Sequence, residues 1–294
     1  MQTFHDIVQY RQWRHSIDGP VVFVPTMGAL HRGHASLVAL ARQRAGLQGS
    51  VVASIFVNPL QFGAGEDFSR YPRTIQADRE LLIAQRADVL FAPDAATMYP
   101  AGHCDIFVLP GKIGEIWEGA DRPGHFQGVC TVVAKLLNII LPTHMILGQK
   151  DFQQHVILAQ MMEHLNFPVE LIIAPTMREP DGLAMSSRNR YLTADERQRA
   201  PAIYRTLCWA VNEARRGDCD AAQLGEDIRQ RIDTAGLTTR YAAICSRHTL
   251  AAVDGKVGLQ DVILIAAKLG TTRLIDNMRI DENVPVTGAP REMP

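Results

Sequence analysis

The stretch that decides the fold joins a short apolar run to a helical pattern, and it reads Pro25-Thr26-Met27-Gly28-Ala29-Leu30-His31-Arg32-Gly33-His34. The four residues before it, 21–24, are all Val or Phe, which predicts a strand buried on both faces. From Ser36 onward, apolar residues recur with helical spacing. A turn between a buried strand and a helix start presents unpaired backbone N–H groups and the positive end of the helix dipole. The stretch is therefore expected to bind an anion.

Two histidines in this turn, His31 and His34, strengthen the case for phosphate. An imidazole donates a hydrogen bond to a phosphate oxygen without adding a fixed charge. A purely structural role and a metal pair are the alternatives. The metal-binding motif His-Glu-x-x-His is absent, because Arg32 and Gly33 separate the two histidines. A nucleotide-phosphate site is the first hypothesis.

Short apolar runs alternate with helical patterns over the first part of the chain. Further strands are predicted at 51–57, 88–93, 144–147 and 169–174, and further helices at 75–86, 128–140 and 151–165. This alternation predicts an α/β fold, a Rossmann-like, doubly wound parallel sheet. Ligands of such sheets bind beyond the carboxyl ends of the strands. The segments that follow the strands at 21–24, 51–57 and 144–147 are thus expected to converge on one cleft.

The pattern changes near residue 176, which divides the chain into a Rossmann-like domain at 1–176 and a smaller α+β domain at 177–294. An aperiodic loop at 177–191 lies at the junction. Thr193 and Glu196 form a capping box that opens a helix, which Pro201 is expected to break. Downstream are a predicted helix at 220–234, strands at 240–245, 261–268 and 272–280, the last two as a hairpin, and a loose proline-rich tail from 284.

Composition limits the function classes. The chain has 294 residues and a formal net charge of −1, which argues against a large nucleic-acid footprint. The N-terminus has no signal-peptide pattern, and no apolar stretch approaches the length of a membrane span. Five cysteines without Cys-x-x-Cys spacing predict reduced thiols. We expect a cytoplasmic protein that binds neither nucleic acid nor membrane.

Two further segments contain groups that suit phosphate. Gly148-Gln149-Lys150-Asp151 follows a predicted strand and opens a helix, so the Lys150 ammonium is expected to reach phosphate oxygens. Three alternative roles remain open for Asp151: ligand of Mg²⁺, contact to the ribose, or cap of the helix. Met185-Ser186-Ser187-Arg188-Asn189 offers two hydroxyls and a guanidinium, although a serine-rich linker is the alternative.

A resemblance to known proteins begins at His31-Arg32-Gly33-His34, since a His-x-Gly-His element after the first such strand resembles the nucleotidyltransferase superfamily. The whole stretch from Pro25 resembles one family, the pantothenate synthetases, which are pantoate–β-alanine ligases. Four other segments extend the resemblance in the same order: 58–63, 122–129, 148–154 and 185–189. Three departures from the family pattern are Leu147, Met177 and Pro201.

The resemblance implies two reactions: pantoate and Mg·ATP give pantoyl adenylate and pyrophosphate, and β-alanine then displaces AMP. It implies catalytic roles for His34, His31, Lys150 and Arg188, with His34 as the proton donor. The implied ATP-binding residues are Met27, Gly28, Ala29, Leu30, His31, Arg32, Gly33, His34, Gly148, Gln149, Lys150, Asp151, Met177, Met185, Ser186, Ser187 and Arg188. The implied substrate-binding residues are Gln61, Gln154, Asn58 and Arg122.

The resemblance also implies Mg²⁺ as cofactor, with Asp151 as its candidate ligand, and a homodimer. The loop after Gln61, residues 62–69, contains two glycines and is expected to act as a lid. Two alternatives to the ligase remain: another adenylyltransferase with a His-x-Gly-His element that acts on a small molecule, and a nucleotide sensor without turnover.

Overall fold

A computed structural model describes residues 1–284, so most of the tail predicted to be loose lies outside the described residues. The chain forms two compact units. The first consists of residues 1–148 and 157–175, and the described part of the second consists of residues 149–156 and 176–284. The predicted domain ranges stay a prediction, and the structure adds that the segment 149–156 groups with the second unit.

The first unit contains a six-stranded parallel sheet in the order β1-β4-β3-β2-β5-β6. Its strands are β1 (Gln2–Phe4), β2 (Val21–Thr26), β3 (Ser50–Ile55), β4 (Val89–Phe91), β5 (His144–Gly148) and β6 (Glu170–Ala174). The helices up to β6 are α1 (Ile7–His15), α2 (Arg32–Ala45), α3 (Ile75–Ala84), α4 (Ala95–Met98), α5 (Glu118–Asp121), α6 (His125–Ile140) and α7 (Phe152–His164). The predicted α/β class is confirmed.

Residues 21–24 of β2 form an unbroken apolar run because both faces of this part of the strand are buried. Val21 and Phe23 belong to one core cluster and Val22 and Val24 to another, and all four side chains are fully buried. Successive side chains of a strand point to opposite faces of the sheet. The sheet is therefore covered on both faces, as the sequence predicted.

The strand order reverses beside β2. From β2 the chain proceeds outward through β3 and β4, and β5 then pairs with the other edge of β2 through Val22–His144 and Phe23–Met145. In open parallel sheets this reversal leaves a crevice at the carboxyl ends of the two strands, where ligands bind. The His-x-Gly-His turn follows β2, and Gly148 ends β5.

The second unit combines helices with a three-stranded antiparallel sheet in the order β7-β8-β9. Its elements are α8 (Ala194–Arg199), α9 (Ala202–Arg215), α10 (Ala221–Thr234), β7 (Thr238–Ser246), β8 (Asp261–Leu269) and β9 (Thr272–Arg279). The capping box of Thr193 and Glu196 is present, and the helix is interrupted at Pro201 as predicted, because proline cannot donate the next helical hydrogen bond.

Several local features differ from the sequence-based expectation or were missed, among them the one-turn helices α4 and α5. Strand β1 and helix α1 precede the first predicted element. Helix α6 begins at His125, three residues before its predicted start. The loop predicted at 177–191 contains a 3₁₀ turn at Ser187–Tyr191. Each of these is a short or polar segment, for which apolar periodicity gives little signal.

Candidate active site

The turn after β2 is held in an unusual backbone conformation by a buried carboxylate. Gly28 and Ala29 have positive φ angles of 85° and 52°. Asp78, on α3 and 2% exposed, accepts hydrogen bonds from the backbone N–H of Ala29 at 3.0 Å and of Leu30 at 2.8 Å. The Thr74 hydroxyl donates to the same carboxylate. Sequence analysis missed Asp78, because one acidic residue in the first turn of an amphipathic helix carries no distinctive signal.

Both histidines of the turn serve as helix caps through their Nδ1 atoms. His31 is the N-cap residue of α2, and its Nδ1 accepts from the Gly33 N–H at 3.1 Å. The Nδ1 of His34 accepts from the His31 N–H at 3.3 Å. A neutral imidazole whose Nδ1 is an acceptor carries its proton on Nε2. The fold therefore assigns each neutral ring an Nε2–H donor, and the ring centroids lie 4.2 Å apart.

This arrangement corrects the expectation that the turn presents unpaired backbone N–H groups. The N–H groups of Ala29, Leu30, His31 and Gly33 all bond to side chains of the chain itself. The Gly28 N–H likewise donates to the Thr26 hydroxyl at 3.2 Å. The main-chain N–H groups of these five residues are thus engaged within the chain.

Gln61 lies in a buried polar cluster of the first unit. The side chain of Asn58, 1% exposed, donates to the Gln61 Oε1 at 3.1 Å and to the Gly128 carbonyl at 3.1 Å. Its own Oδ1 accepts from the Tyr99 hydroxyl at 2.8 Å and from the Leu60 N–H. Both polar atoms of the Asn58 side chain therefore have partners within the chain.

Close packing of α6 against this cluster explains why residue 128 is a glycine. A Cβ atom at Gly128 would lie 2.2 Å from the Leu60 carbonyl oxygen, which no side chain can accommodate without movement. Residues Pro59–Gln61 form a 3₁₀ turn that the helix contacts at this point. Gly128 thus lets the backbone that positions Gln61 approach α6.

Arg122 connects the Gln61 cluster to the loop at 62–69. Its guanidinium donates two hydrogen bonds of 2.7 Å to the carboxylate of Glu66 and one of 3.3 Å to the Gln61 carbonyl. Burial by itself would raise the pKa of Glu66, but the hydrogen bonds and charge of Arg122 outweigh it and lower that pKa. The loop predicted to be a lid is therefore held at Glu66 by a bidentate ion pair.

His125 completes this cluster as a buried neutral imidazole. Its Nε2 lies 3.0 Å from Nη1 of Arg122, so it accepts there, and its Nδ1–H donates to the Gln61 carbonyl at 2.8 Å. Burial, reinforced by the charge of Arg122, lowers the pKa of His125 to about 4. A proton on Nε2 would have to face the positively charged guanidinium, which explains why the pKa of His125 is lowered.

The depressed pKa of His125 predicts acid-sensitive folding. The unfolded chain takes up the proton near pH 6.5 but the folded chain only near pH 4, so the free energy of unfolding falls between these values as pH decreases. The loss approaches about 1.4 kcal/mol per pH unit for one such group. Urea denaturation between about pH 7 and about pH 5 measures it. His125→Phe is expected to reduce the dependence of the free energy of unfolding on pH over this range.

In the second unit the turn that contains Lys150 is held by side chains of β9 and the residues after it. Asn277, 2% exposed, donates to the backbone carbonyls of Gln149 and Lys150. The side chain of Gln149 donates to Glu282 at 2.7 Å. The Lys150 ammonium lies 3.8 Å from the exposed carboxylate of Asp151.

The segment at 177–188 also lies in the second unit. The Met185 N–H donates to the Met177 carbonyl, and Arg178 forms an isolated bridge with Ala184, so the segment begins as a tight antiparallel turn. The Ser186 hydroxyl accepts from the Arg188 N–H at 3.3 Å and caps the 3₁₀ turn that contains Ser187 and Arg188.

The predicted site residues thus fall into two sets, one in each unit. The first unit contains 27–34 with Asn58, Gln61, Arg122 and Gly148, and the second contains 149–151 with Gln154, Met177 and 185–188. Arg32 is exposed on its helix. Across the described residues 1–284, no group of three or more His, Cys, Asp or Glu residues is arranged to hold a metal ion. No helix of that part of the chain is long and apolar enough to cross a membrane.

The fold and the turn define an α/β protein with a histidine-capped helix at the switch point of a parallel sheet. The family model described as pantoate-beta-alanine ligase matches residues 2–279. The chain is 48% identical over 265 residues to a protein named pantothenate synthetase from Pseudomonas fluorescens, covering 90% of this chain and 91% of the relative. A second relative of that name, from Rubrobacter xylanophilus, is 48% identical over 276 residues, with 91% and 93% covered.

Solved structures give the same result. The crystal structure of pantothenate synthetase from Thermus thermophilus superposes with a TM-score of 0.88 at 41% identity, covering 95% of this chain and 99% of that one. The pantoate-beta-alanine ligase of Francisella tularensis, complexed with beta-gamma ATP and beta-alanine, gives a TM-score of 0.80 at 34% identity, with 97% and 100% covered. The chain belongs to the pantoate–β-alanine ligase family.

Proposed function

We propose that this chain condenses (R)-pantoate with β-alanine at the expense of ATP, in two steps. In the first, a pantoate carboxylate oxygen attacks the α-phosphorus of ATP, and pantoyl adenylate and pyrophosphate form. In the second, the amine of β-alanine attacks the acyl carbon, and pantothenate and AMP leave. Family membership supports the overall reaction.

The single observation that carries the mechanism is the pair of Nδ1-capped histidines. With Nδ1 engaged by backbone N–H groups, His31 and His34 keep Nε2–H donors in a fixed direction. The pantoate carboxylate is already ionised at neutral pH, so the first step requires no general base. It requires donors held where negative charge develops on the phosphoryl oxygens and the leaving pyrophosphate. We assign that role to His31 and His34, which act as hydrogen-bond donors through Nε2–H. The implied transfer of a proton from His34 does not fit a neutral ring whose Nδ1 is already an acceptor.

Lys150 and Arg188 would provide the positive charge that neutral imidazoles lack. An ammonium and a guanidinium are the side chains that most strongly stabilise a leaving pyrophosphate. The remaining members of the proposed ATP site, in 27–33, 148–151, 177 and 185–187, shape its surface. The cap of Arg188 by Ser186 supports this assignment, because it fixes the backbone from which the guanidinium extends.

The proposed pantoate site uses Gln61 and Gln154, whose amides pair with hydroxyl and carboxylate groups. Asn58 supports it indirectly, because its amide is engaged by Gln61, Gly128 and Tyr99 and so orients Gln61. Arg122 is proposed to act at the substrate carboxylate or to hold the loop at 62–69 through Glu66. Holding that loop would help to exclude water from the acyl adenylate, which hydrolyses readily.

The proposal includes Mg²⁺ bound with ATP. Magnesium in nucleotide sites keeps several waters and is held by one or two carboxylates and the substrate phosphates. The exposed carboxylate of Asp151, beside Lys150, fits that donor set. Mg²⁺ would neutralise phosphate charge, with Asp151 as its ligand from the chain. A homodimer and a cytoplasmic location are also part of the proposal, on the basis of the family resemblance.

Pantoate-dependent exchange between labelled pyrophosphate and ATP tests the first step. We expect exchange without β-alanine, because adenylate formation is reversible. Hydroxylamine added in place of β-alanine is expected to give pantoyl hydroxamate, since an acyl adenylate accepts other nucleophiles. Exchange that does not need pantoate would indicate a different adenylyltransferase. ATP binding without exchange would indicate a sensor. AMP that appears only when β-alanine is present, with no hydroxamate, would contradict the free intermediate.

A further inference from the structure

Asn277 is a buried polar residue of β9. It lies opposite Leu264 of β8, and its side chain is 2% exposed. Its Nδ2 donates to the Gln149 carbonyl at 3.0 Å and to the Lys150 carbonyl at 2.8 Å. An amide nitrogen has two hydrogens, so both are used on two consecutive carbonyls. Flipping the amide would place its oxygen against both carbonyls, so these contacts fix its orientation.

The preceding residue, Asp276, holds the other proposed ATP segment from the opposite face of the same strand. Its carboxylate accepts from Arg178 at 2.5 and 3.0 Å, in a pair whose side chains are 10% and 4% exposed. Arg178 also donates to the Gly182 carbonyl at 3.1 Å and stacks over the Tyr204 ring at 4.2 Å. Asp276 further accepts from the Asn277 N–H at 2.8 Å.

Two neighbouring residues of β9 therefore fix two segments that are far apart in the sequence. Residues 149–150 are fixed by Asn277, and the turn at 178–184 is fixed by Asp276 through Arg178. A buried polar pair in a strand costs free energy that apolar residues would not. Such departures from the local packing rule are expected where a function requires them.

We propose that Asn277 is a positioning residue for the first chemical step, because it fixes the backbone from which Lys150 extends. This inference rests on the proposed function, in which the Lys150 ammonium contacts phosphate. The backbone sets the point from which the lysine side chain extends, so a shift of that backbone moves the region that its ammonium can reach. A displacement of about 1 Å at a reacting group costs about 10²-fold in rate.

A double-mutant cycle between Asn277→Ala and Lys150→Ala tests the proposal. The measured quantity is the rate of pyrophosphate release in a single turnover with enzyme in excess. This assay can measure the rates of slow variants. We expect Asn277→Ala to lower the rate by about 10–100-fold. In the Lys150→Ala background the same change is expected to have little further effect, because the group it positions is gone.

Met278→Ala is the matched control, since Met278 is the next residue of the strand, 2% exposed, and lies in the core of the second unit. It is expected to lower the thermal stability at least as much as Asn277→Ala but to keep the wild-type rate. Asn277→Asp is the second variant, because it preserves shape while losing the amide donors. We expect its rate to recover partly as pH falls, since a protonated carboxyl can donate to one carbonyl.

The outcomes separate the inference from the proposed function. If Lys150→Ala keeps the wild-type rate, the proposed ATP site is wrong and the inference falls with it. If Lys150→Ala is slow and Asn277→Ala multiplies that loss in full, the site stands and only the positioning role is wrong. If Met278→Ala is as slow as Asn277→Ala, the rate loss reflects damage to the fold, and the positioning role of Asn277 is wrong.

Discussion

Replacing His34 by Asn is expected to slow pyrophosphate release from ATP by about 10²–10⁴-fold. The Asn side-chain oxygen lies close to the place of the imidazole Nδ1, so it can still accept from the His31 N–H and cap α2. It has no donor at the place of Nε2. The variant thus removes the proposed phosphate contact and keeps the helix start, and single-turnover kinetics measure the loss.

His34→Ala provides the matched comparison, because it removes both the cap and the donor. Losing a cap costs about 1 kcal/mol, so His34→Ala should be less stable in urea than His34→Asn while the two react equally slowly. An Asn variant that releases pyrophosphate at the wild-type rate would show that His34 is a capping residue alone.

Replacing Asp78 by Ala is expected to lower the free energy of unfolding by about 3–5 kcal/mol, the largest stability effect that we predict. The change leaves the N–H groups of buried Ala29 and half-buried Leu30 without their charged acceptor. Both residues belong to the proposed ATP turn, and Ala29 has a positive φ that the carboxylate helps to maintain. Adenylate formation should therefore fall as well. Equilibrium urea denaturation and pyrophosphate exchange measure the two effects.

A carboxylate in the second unit offers a control, because it also accepts hydrogen bonds from two backbone N–H groups. Asp220, the N-cap of α10, also accepts from two backbone N–H groups, those of Ala222 and Gln223, but is exposed. Asp220→Ala should cost only about 1 kcal/mol and leave catalysis unchanged, because water can replace the carboxylate. If Asp78→Ala and Asp220→Ala lower the free energy of unfolding equally, burial does not explain the effect that we expect at Asp78.

Apolar periodicity predicted the parts of the fold that bury most surface. The run at 21–24 gave β2, because a strand covered on both faces must be apolar throughout. The same reasoning found β8 and β9 but not β1, which has only three residues at the edge of the sheet. Pro201 interrupted its helix for a reason that is local and independent of tertiary structure.

Polar contacts were harder to predict, because they join residues that are distant in sequence. Asp78 is 49 positions from Ala29, and Asn277 is 127 positions from Lys150. Neither lies in a motif, and each acts through backbone groups that any residue type would offer. The expectation of open N–H groups after β2 failed for the same reason, since the side chains that engage them could not be paired from sequence.

The closed hydrogen bonding of the turn after β2 has a consequence for the thermodynamics of nucleotide binding. Ordering one residue's backbone costs about 1–2 kcal/mol of conformational entropy, and here Gly28 to His31 are ordered before any ligand arrives. Binding should therefore involve little loss of main-chain entropy at this turn. The same rigidity prevents the turn from adapting to a different phosphate geometry. Nucleotide analogues with displaced phosphates should therefore lose affinity according to their misfit.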